Sequence, residues 1–371
     1  MDVYPLRRTR LIEPLMGSIR QQPLYVLLRE KLPFFLLSVF LVLITLLAHV
    51  NTVSSIALDL RLLNAFNSII LYLNKFLVPL DLAPLYPFLV EPGEAINWQA
   101  FMPLFGVLVL TVACLIAWAR NRHQWLIAWL FYLVTLAPVL GLIQSGEQGA
   151  ADRFAYLPTL PAYLLIGAGI LTVLDNAALL KKVFLLLSVF FLVFLLTDKT
   201  RQQIHIWKNP HTLWSEAVNY NSKNVTAHYN LAITYLRQQN YEKAAFHFDK
   251  SVTLPKNPTS AVMAFPTRAY RGLSYIYLGR YNEAMKDYLY LADALNSSPN
   301  LNLDRDCIFF NSGWLYSQLG VMDKAMEYFG QVDPKSQRWP DTETWLETIN
   351  QGTNDTLEFE GLPEFCKSVF P

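Results

Sequence analysis

Five apolar blocks, each near the length of a bilayer crossing, lie within the first 200 residues and constrain this chain more than any other feature. A helix needs about 17–25 apolar residues to cross the hydrocarbon core. Inside that core every backbone polar group must be satisfied within the segment, so blocks of this kind fold as helices. They cover residues 33–50, 101–119, 124–143, 155–174 and 182–197. The last is short, and its flanks extend it. The first is no signal peptide, because it starts deep in the chain and lacks a small-residue cleavage site.

The apolar character stops near residue 200. Over all 371 residues the chain is 53% hydrophobic and 16% charged, whereas a soluble domain carries about 25% charged residues. The net charge of +1 gives no electrostatic footprint for nucleic acid. A membrane half, 33–199, and an aqueous half are therefore expected.

Basic residues in short loops orient the spans. Residues 1–32 carry Arg7, Arg8, Arg10, Arg20, Arg29 and Lys31; later breaks carry Arg120 with Arg122 and Lys181 with Lys182. Five spans place all three groups in the cytoplasm. Everything after about Asp198 then lies outside, in a periplasm or an organelle lumen. One segment competes with this count. Residues 61–80 are long enough to span, but Asn64, Asn67, Asn74 and Lys75 fall largely on one helical face. We read it as an amphipathic helix in the outer interface, since a sixth span would export the basic N-terminus.

The aqueous half repeats. Ala232, Gly272 and Gly313 are each followed three residues later by tyrosine, at Tyr235, Tyr275 and Tyr316. Ala244, Ala284 and Ala325 come next, then Phe248, Tyr288 and Phe329. Small residues that let two helices approach, with aromatics filling the gaps, form the tetratricopeptide pattern. Repeats are expected near 225–258, 265–298 and 306–338, within a domain of 200–338, and 339–371 reads as a capping helix and tail. The fold class is all-α: a polytopic membrane helix bundle followed by a tetratricopeptide solenoid. Such a solenoid presents a surface for a protein or peptide, or serves as a rigid spacer.

Between the third and fourth spans runs GEQGAADRFAYLP, which places Glu147, Asp152 and Arg153 at the outer lip of the membrane. Charges are costly in hydrocarbon but can face water or a polar cavity at this level. This loop, the blocks LLREKLPFFLLS from Leu27, RLLNAFNSIILYLNKFLVPLDLAPLYP from Arg61 and LAPVLGLIQSGEQGAADRFAYLP from Leu136, and the repeats follow one another in an order that resembles a known family. The family joins a GT-C-type glycosyltransferase to tetratricopeptide repeats; its animal members are the transmembrane and TPR-repeat-containing protein O-mannosyltransferases. The resemblance covers nearly the whole chain.

The resemblance implies a polyprenyl-phosphate sugar as donor and a protein as acceptor. It implies a membrane location, in the inner or plasma membrane of a bacterium or the endoplasmic reticulum of a eukaryote. It implies that Arg153 grips the donor phosphate, with Lys75 a second candidate, while Glu147 or Asp152 steadies the arginine, or binds a divalent metal or sugar hydroxyls. The alternative roles are structural: an Asp152–Arg153 anchor for the loop, a snorkelling Lys75, and Tyr156 as an interface aromatic. The family's catalytic acidic residue sits in the first external loop of the enzyme, upstream of the segment seen here. The resemblance is thus to the C-terminal portion, and no catalytic residue is assigned, neither Asp59 nor Asp81. The catalytic half would then be an upstream segment or a separate chain, unless this member has lost it. The competing function is a non-catalytic scaffold whose repeats recruit an envelope or lumenal protein.

Other chemistry has little support. The six histidines and three cysteines show no metal-ligand spacing. Cys307 and Cys366 would lie outside, where a disulfide can form. No glycine-rich phosphate loop occurs.

Overall fold

A computed structural model describes residues 24–48, 57–86, 97–142, 149–254, 263–298, 301 and 303–350. Among these residues the secondary structure is helical apart from one isolated bridge. The chain divides into two compact units, residues 1–204 and 205–371.

The first unit contains α1 (Leu24–Ala48), α2 (Leu58–Leu77), α3 (Met102–Ala119), α4 (His123–Leu136), α5 (Leu160–Asn176) and α6 (Leu179–Ile206). Two described helices are long and apolar enough to cross a membrane: Trp98–Ala119, which includes a leading 3-10 turn, and Leu179–Ile206. The expected spans over 124–143 and 155–174 are shorter. Residues Ala137–Val139, around Pro138, form a 3-10 turn that ends α4 early, because proline cannot donate to the helix ladder. The chain before Leu160 is taken up by a bridge and a 3-10 turn, so α5 begins five residues late.

Helix α2 departs from a simple interfacial helix. Its buried side includes Leu63, Ala65, Ile69 and Tyr72, but also Asn64 and Ser68. Part of the polar stripe therefore turns inward, where a loop carbonyl accepts from the Asn64 amide nitrogen. Across the bundle Tyr132 donates to the Ile69 carbonyl at 2.7 Å, and Trp129 Nε1 donates to Thr111 Oγ1 at 3.0 Å. Such bonds are how a helix bundle keeps polar groups satisfied away from water. No residue of α6 is buried.

The second unit holds α7 (Pro210–Tyr220), α8 (Val225–Arg237), α9 (Tyr241–Thr253), α10 (Ala264–Tyr277), α11 (Tyr281–Ser297), α12 (Arg305–Gln318), α13 (Met322–Phe329) and α14 (Trp339–Asn350). Asn209, Asn224, Asn240 and Asp304 cap α7, α8, α9 and α12 by accepting a backbone N–H three residues on, which satisfies a donor the helix cannot. Helices α8–α9, α10–α11 and α12–α13 form three hairpins. Their turns are alike: Gln239, Gly279 and Gly320 all have positive φ. The next N–H in each returns to the carbonyl of Tyr235, Tyr275 or Tyr316 at 2.9 Å.

The small residues act as their spacing requires. A Cβ on Gly272 would lie 2.8 Å from the Tyr288 ring, and one on Gly313 would lie 2.8 Å from the Phe329 ring. Within the second hairpin Arg271 clamps Asp287 through Nε and Nη2 at 2.8 and 2.7 Å, while its Nη1 reaches Asp249 of the first hairpin at 2.8 Å.

The first hairpin buries two imidazoles together. His228 Nδ1 lies 3.0 Å from His247 Nδ1, and His228 Nε2 lies 3.0 Å from the Ser222 carbonyl. Burial, then His228 and Lys243, push His247 down to about 4. Burial also lowers His228, with Lys250 adding to it. An unfolded histidine titrates near 6.5. The repeat domain therefore keeps its full stability above about pH 6.5 and loses it as pH falls toward 4, where the unfolded chain binds more protons. Allowing for solvent screening, the loss is about 1–2 kcal/mol. Urea melts at pH 7.5 and 4.5 should show wild type losing that much more than His247→Gln.

Candidate functional site

The lip loop is built on α2. The Gly149 carbonyl accepts from both Asn64 Nδ2, at 3.0 Å, and Ser68 Oγ, at 3.2 Å. The Tyr72 hydroxyl accepts from Ala151 N–H at 3.0 Å. Tyr86 pairs with Ala150 in an antiparallel bridge, which draws the chain that follows α2 against residues 149–152. Arg61 Nη1 donates to the Leu142 carbonyl at 3.0 Å. Five side chains of one block thus hold a loop more than sixty positions away in sequence.

Asp152 and Arg153 open a 3-10 turn and diverge. Asp152 faces inward and its Oδ1 accepts from the Tyr86 hydroxyl at 2.7 Å. That hydroxyl in turn accepts from Ala83 N–H at 3.1 Å. Asp152 Oδ2 is buried with no hydrogen-bond partner. Burial raises the Asp152 carboxyl above its usual range, against the pull of Tyr86 and Lys75. Arg153 is exposed, its guanidinium 4.9 Å from the centre of the Phe154 ring. Phe154 is itself packed on the core around Tyr72 and Tyr132, which gives the arginine a fixed base.

The remaining expected residues separate. Lys75 is half-buried and donates to the Leu80 and Asp81 carbonyls at 2.6 and 3.0 Å, with its ammonium 5.6 Å from the Tyr86 ring centre. It closes the turn after α2, where Asp81 takes a positive φ. Tyr156 is 81% exposed. Glu147 lies outside the described residues. The expected anchor between Asp152 and Arg153 is replaced by the Tyr86–Asp152 bond. Tyr72 and Tyr86 both sit inside the block from Arg61, but nothing in their spacing marks their distant partners. No cluster of three or more metal-ligating side chains occurs among the described residues.

Two apolar cavities lie in the first unit, one of them lined in part by Pro158 of the loop. One, of about 390 Å3, lies among α2, α3, α4 and α5 and is lined by Phe76, Leu77, Trp129, Pro158 and Ile166 among others. The other, of about 530 Å3, lies between α4 and α5 and includes Phe131, Leu164, Ala168 and Gly169. Trp125, Ala128 and Leu165 line both. Gly169 leaves open space where a side chain would stand. Chemically, the arrangement offers an exposed cation on a short turn and, among the helices, two apolar cavities.

Comparison with known proteins places residues 225–254 and 308–333 in tetratricopeptide repeat families. Those two repeats are the α8–α9 and α12–α13 hairpins. Protein O-mannosyl-transferase TMTC1 of Mus musculus is 25% identical over 203 residues, covering 52% of this chain and 21% of that protein. The Homo sapiens protein of the same name is 26% identical over 156 residues, covering 42% and 18%. The chain thus spans about a fifth of the length of the curated relatives it matches. The crystal structure of MamA aligns at 16% identity over 41% of this chain and 76% of that one, with a TM-score of 0.27.

Proposed function

We propose that this chain is a membrane-anchored part of a protein O-mannosyl-transferase-like system. It holds a polyprenyl-phosphate sugar at the outer lip, and its repeats engage the protein acceptor on the same side. The observation that carries this reading is Arg153, an exposed guanidinium resting on Phe154, in the same lip loop as Pro158, which lines an apolar cavity with Phe76. A guanidinium can grip two phosphate oxygens, and an apolar slot takes the hydrocarbon chain. The similarity to the mouse and human O-mannosyl-transferases supports the class of reaction. Repeats of this kind are protein-interaction modules.

The rest of the reading follows the basic residues. The N-terminus is cytoplasmic, five spans follow, and the repeats lie in the periplasm or lumen. Cys307 is disulfide-bonded, as an oxidising compartment favours. No residue described above is assigned as the base that deprotonates the acceptor hydroxyl. Asp152 is poorly placed for it, with one oxygen held by Tyr86 and the other buried. A divalent metal would have Asp152 and Glu147 as its candidates.

One observation favours the non-catalytic scaffold instead. Lys75 and Asp152 are both engaged in bonds internal to the loop. Binding to nanodisc-embedded protein separates the readings. A donor-binding site retains polyprenyl-phosphate mannose at least tenfold more tightly than the phosphate-free polyprenol, since a charge-assisted hydrogen bond is worth about 1.5–3 kcal/mol. Equal retention of the two lipids would leave the scaffold.

A further inference from the structure

The larger apolar cavity is polar at one end only. It runs along α5 from Leu160 to Thr172, about 18 Å at about 1.5 Å per residue. Its polar side chains are Gln124 and Thr172; the rest of the lining is aliphatic, aromatic or glycine. Gln124 lies in the first turn of α4 and Thr172 near the end of α5. In the membrane placement proposed above, on which this inference rests, α4 and α5 are consecutive crossings. They then run antiparallel, and both polar groups fall at the mouth opposite the lip loop.

That mouth is basic. The chain carries Arg120 and Arg122 just before α4, and Lys181 and Lys182 just after α5, against Asp175 alone. Arg120 and Arg122 are exposed, and neither is paired with a carboxylate among the described residues. Gln124 likewise makes no side-chain hydrogen bond among them, whereas the Thr172 hydroxyl is taken by the Ala168 carbonyl at 2.8 Å. We propose that this groove holds one acyl chain of an anionic phospholipid, with the lipid phosphate at Arg120, Arg122 and Gln124. Length selects the occupant. A partner helix crossing the bilayer presents about 30 Å of apolar surface, whereas a groove of about 18 Å is little more than one leaflet deep. Charge selects the headgroup, because basic residues at a pocket between membrane helices attract anionic lipid. Gly169 keeps the groove open, since a Cβ there would meet nothing within 4 Å. Trp125, Ala128 and Leu165 form the wall shared with the cavity at Pro158.

Native mass spectrometry of the full chain in detergent, with equal amounts of dioleoyl phosphatidylglycerol and dioleoyl phosphatidylcholine, tests the assignment. Wild type should retain one phosphatidylglycerol, favoured about tenfold or more, as two basic groups at a membrane surface provide. The double variant Arg120→Gln, Arg122→Gln should lose that preference. Gly169→Leu fills the groove and should lose most retention of both lipids. Gly167→Leu, on the same helix with equally open space but outside the lining, should behave as wild type. Equal retention of the two lipids by wild type would overturn the proposal, as would undiminished retention by a folded Gly169→Leu protein. Displacement of the lipid by polyprenyl phosphate would overturn it by giving the groove to the sugar donor. A dimer broken by Gly169→Leu but not by Gly167→Leu would overturn it by giving the groove to a second copy. Protein that stays monodisperse without detergent would overturn the membrane placement as well.

Discussion

Replacing Asp287 with alanine is expected to destabilise the repeat array by about 3–5 kcal/mol, because it removes the buried carboxylate that two partly buried guanidiniums share. The Asp287 side chain is 1% exposed, whereas that of Arg271 is 13% exposed and that of Arg268 24%. Its two oxygens take Arg271 Nε and Nη2, and Arg268 Nη1 approaches at 3.3 Å. Without it, Arg271 keeps only Asp249, a half-exposed partner at 2.8 Å. The Arg268 guanidinium would rest on Tyr290, 4.0 Å from the ring centre, with nothing to neutralise it. Asp287→Asn keeps the volume but removes the charge, and should fall between wild type and alanine. Urea denaturation of the full chain, followed by hydrogen exchange over α10 and α11, measures both. A change within 0.5 kcal/mol, roughly that of an ordinary surface substitution, would show that the clamp does not hold the hairpins.

At the lip, Arg153→Ala is expected to weaken binding of polyprenyl-phosphate mannose by about tenfold to a hundredfold, the worth of a charge-assisted hydrogen bond. Arg153→Lys retains the charge but not the fork that grips two oxygens, so it should lie between. The fold should survive both changes. Arg153 is exposed and stacks on Phe154, while the loop is held by Asn64, Ser68, Tyr72 and Tyr86. That separation makes the variant informative: Tyr86, not Arg153, pins the loop through Asp152. Unchanged lipid binding in a well-folded Arg153→Ala protein would reject the phosphate role. Loss of folding in both variants would assign the residue to the loop's own structure.

The repeats were legible because their constraint is local. Gly272 and Gly313 leave space for an aromatic ring sixteen residues on in their own hairpin, and spacing alone expresses that. That the apolar blocks form helices was legible from composition over a window, although only two described helices are long and apolar enough to cross a membrane. The interior of the lip loop was not. The Tyr86–Asp152 and Tyr72–Ala151 bonds join residues 66 and 79 positions apart, and a lone tyrosine carries no sign of where its hydroxyl ends. Asn64 shows the ambiguity from the other side. A polar stripe on an apolar helix suits water at a membrane interface, and it equally suits a buried loop carbonyl. Asn64 takes the second option, bonded to Gly149. Lys75 follows the same logic, its charge absorbed by two turn carbonyls before any ligand arrives.

In the proposed function the lip loop and the repeats face the same compartment, as five spans after a cytoplasmic N-terminus would place them. Reporter fusions after Pro371 test this most directly: alkaline phosphatase, active only outside the cytoplasm, and in a second version a fluorescent protein that matures only inside it. The account predicts an active phosphatase and a dark fluorescent fusion. A bright fluorescent fusion with a silent phosphatase would put the repeats in the cytoplasm and contradict it, with α2 the first helix to reconsider as a span.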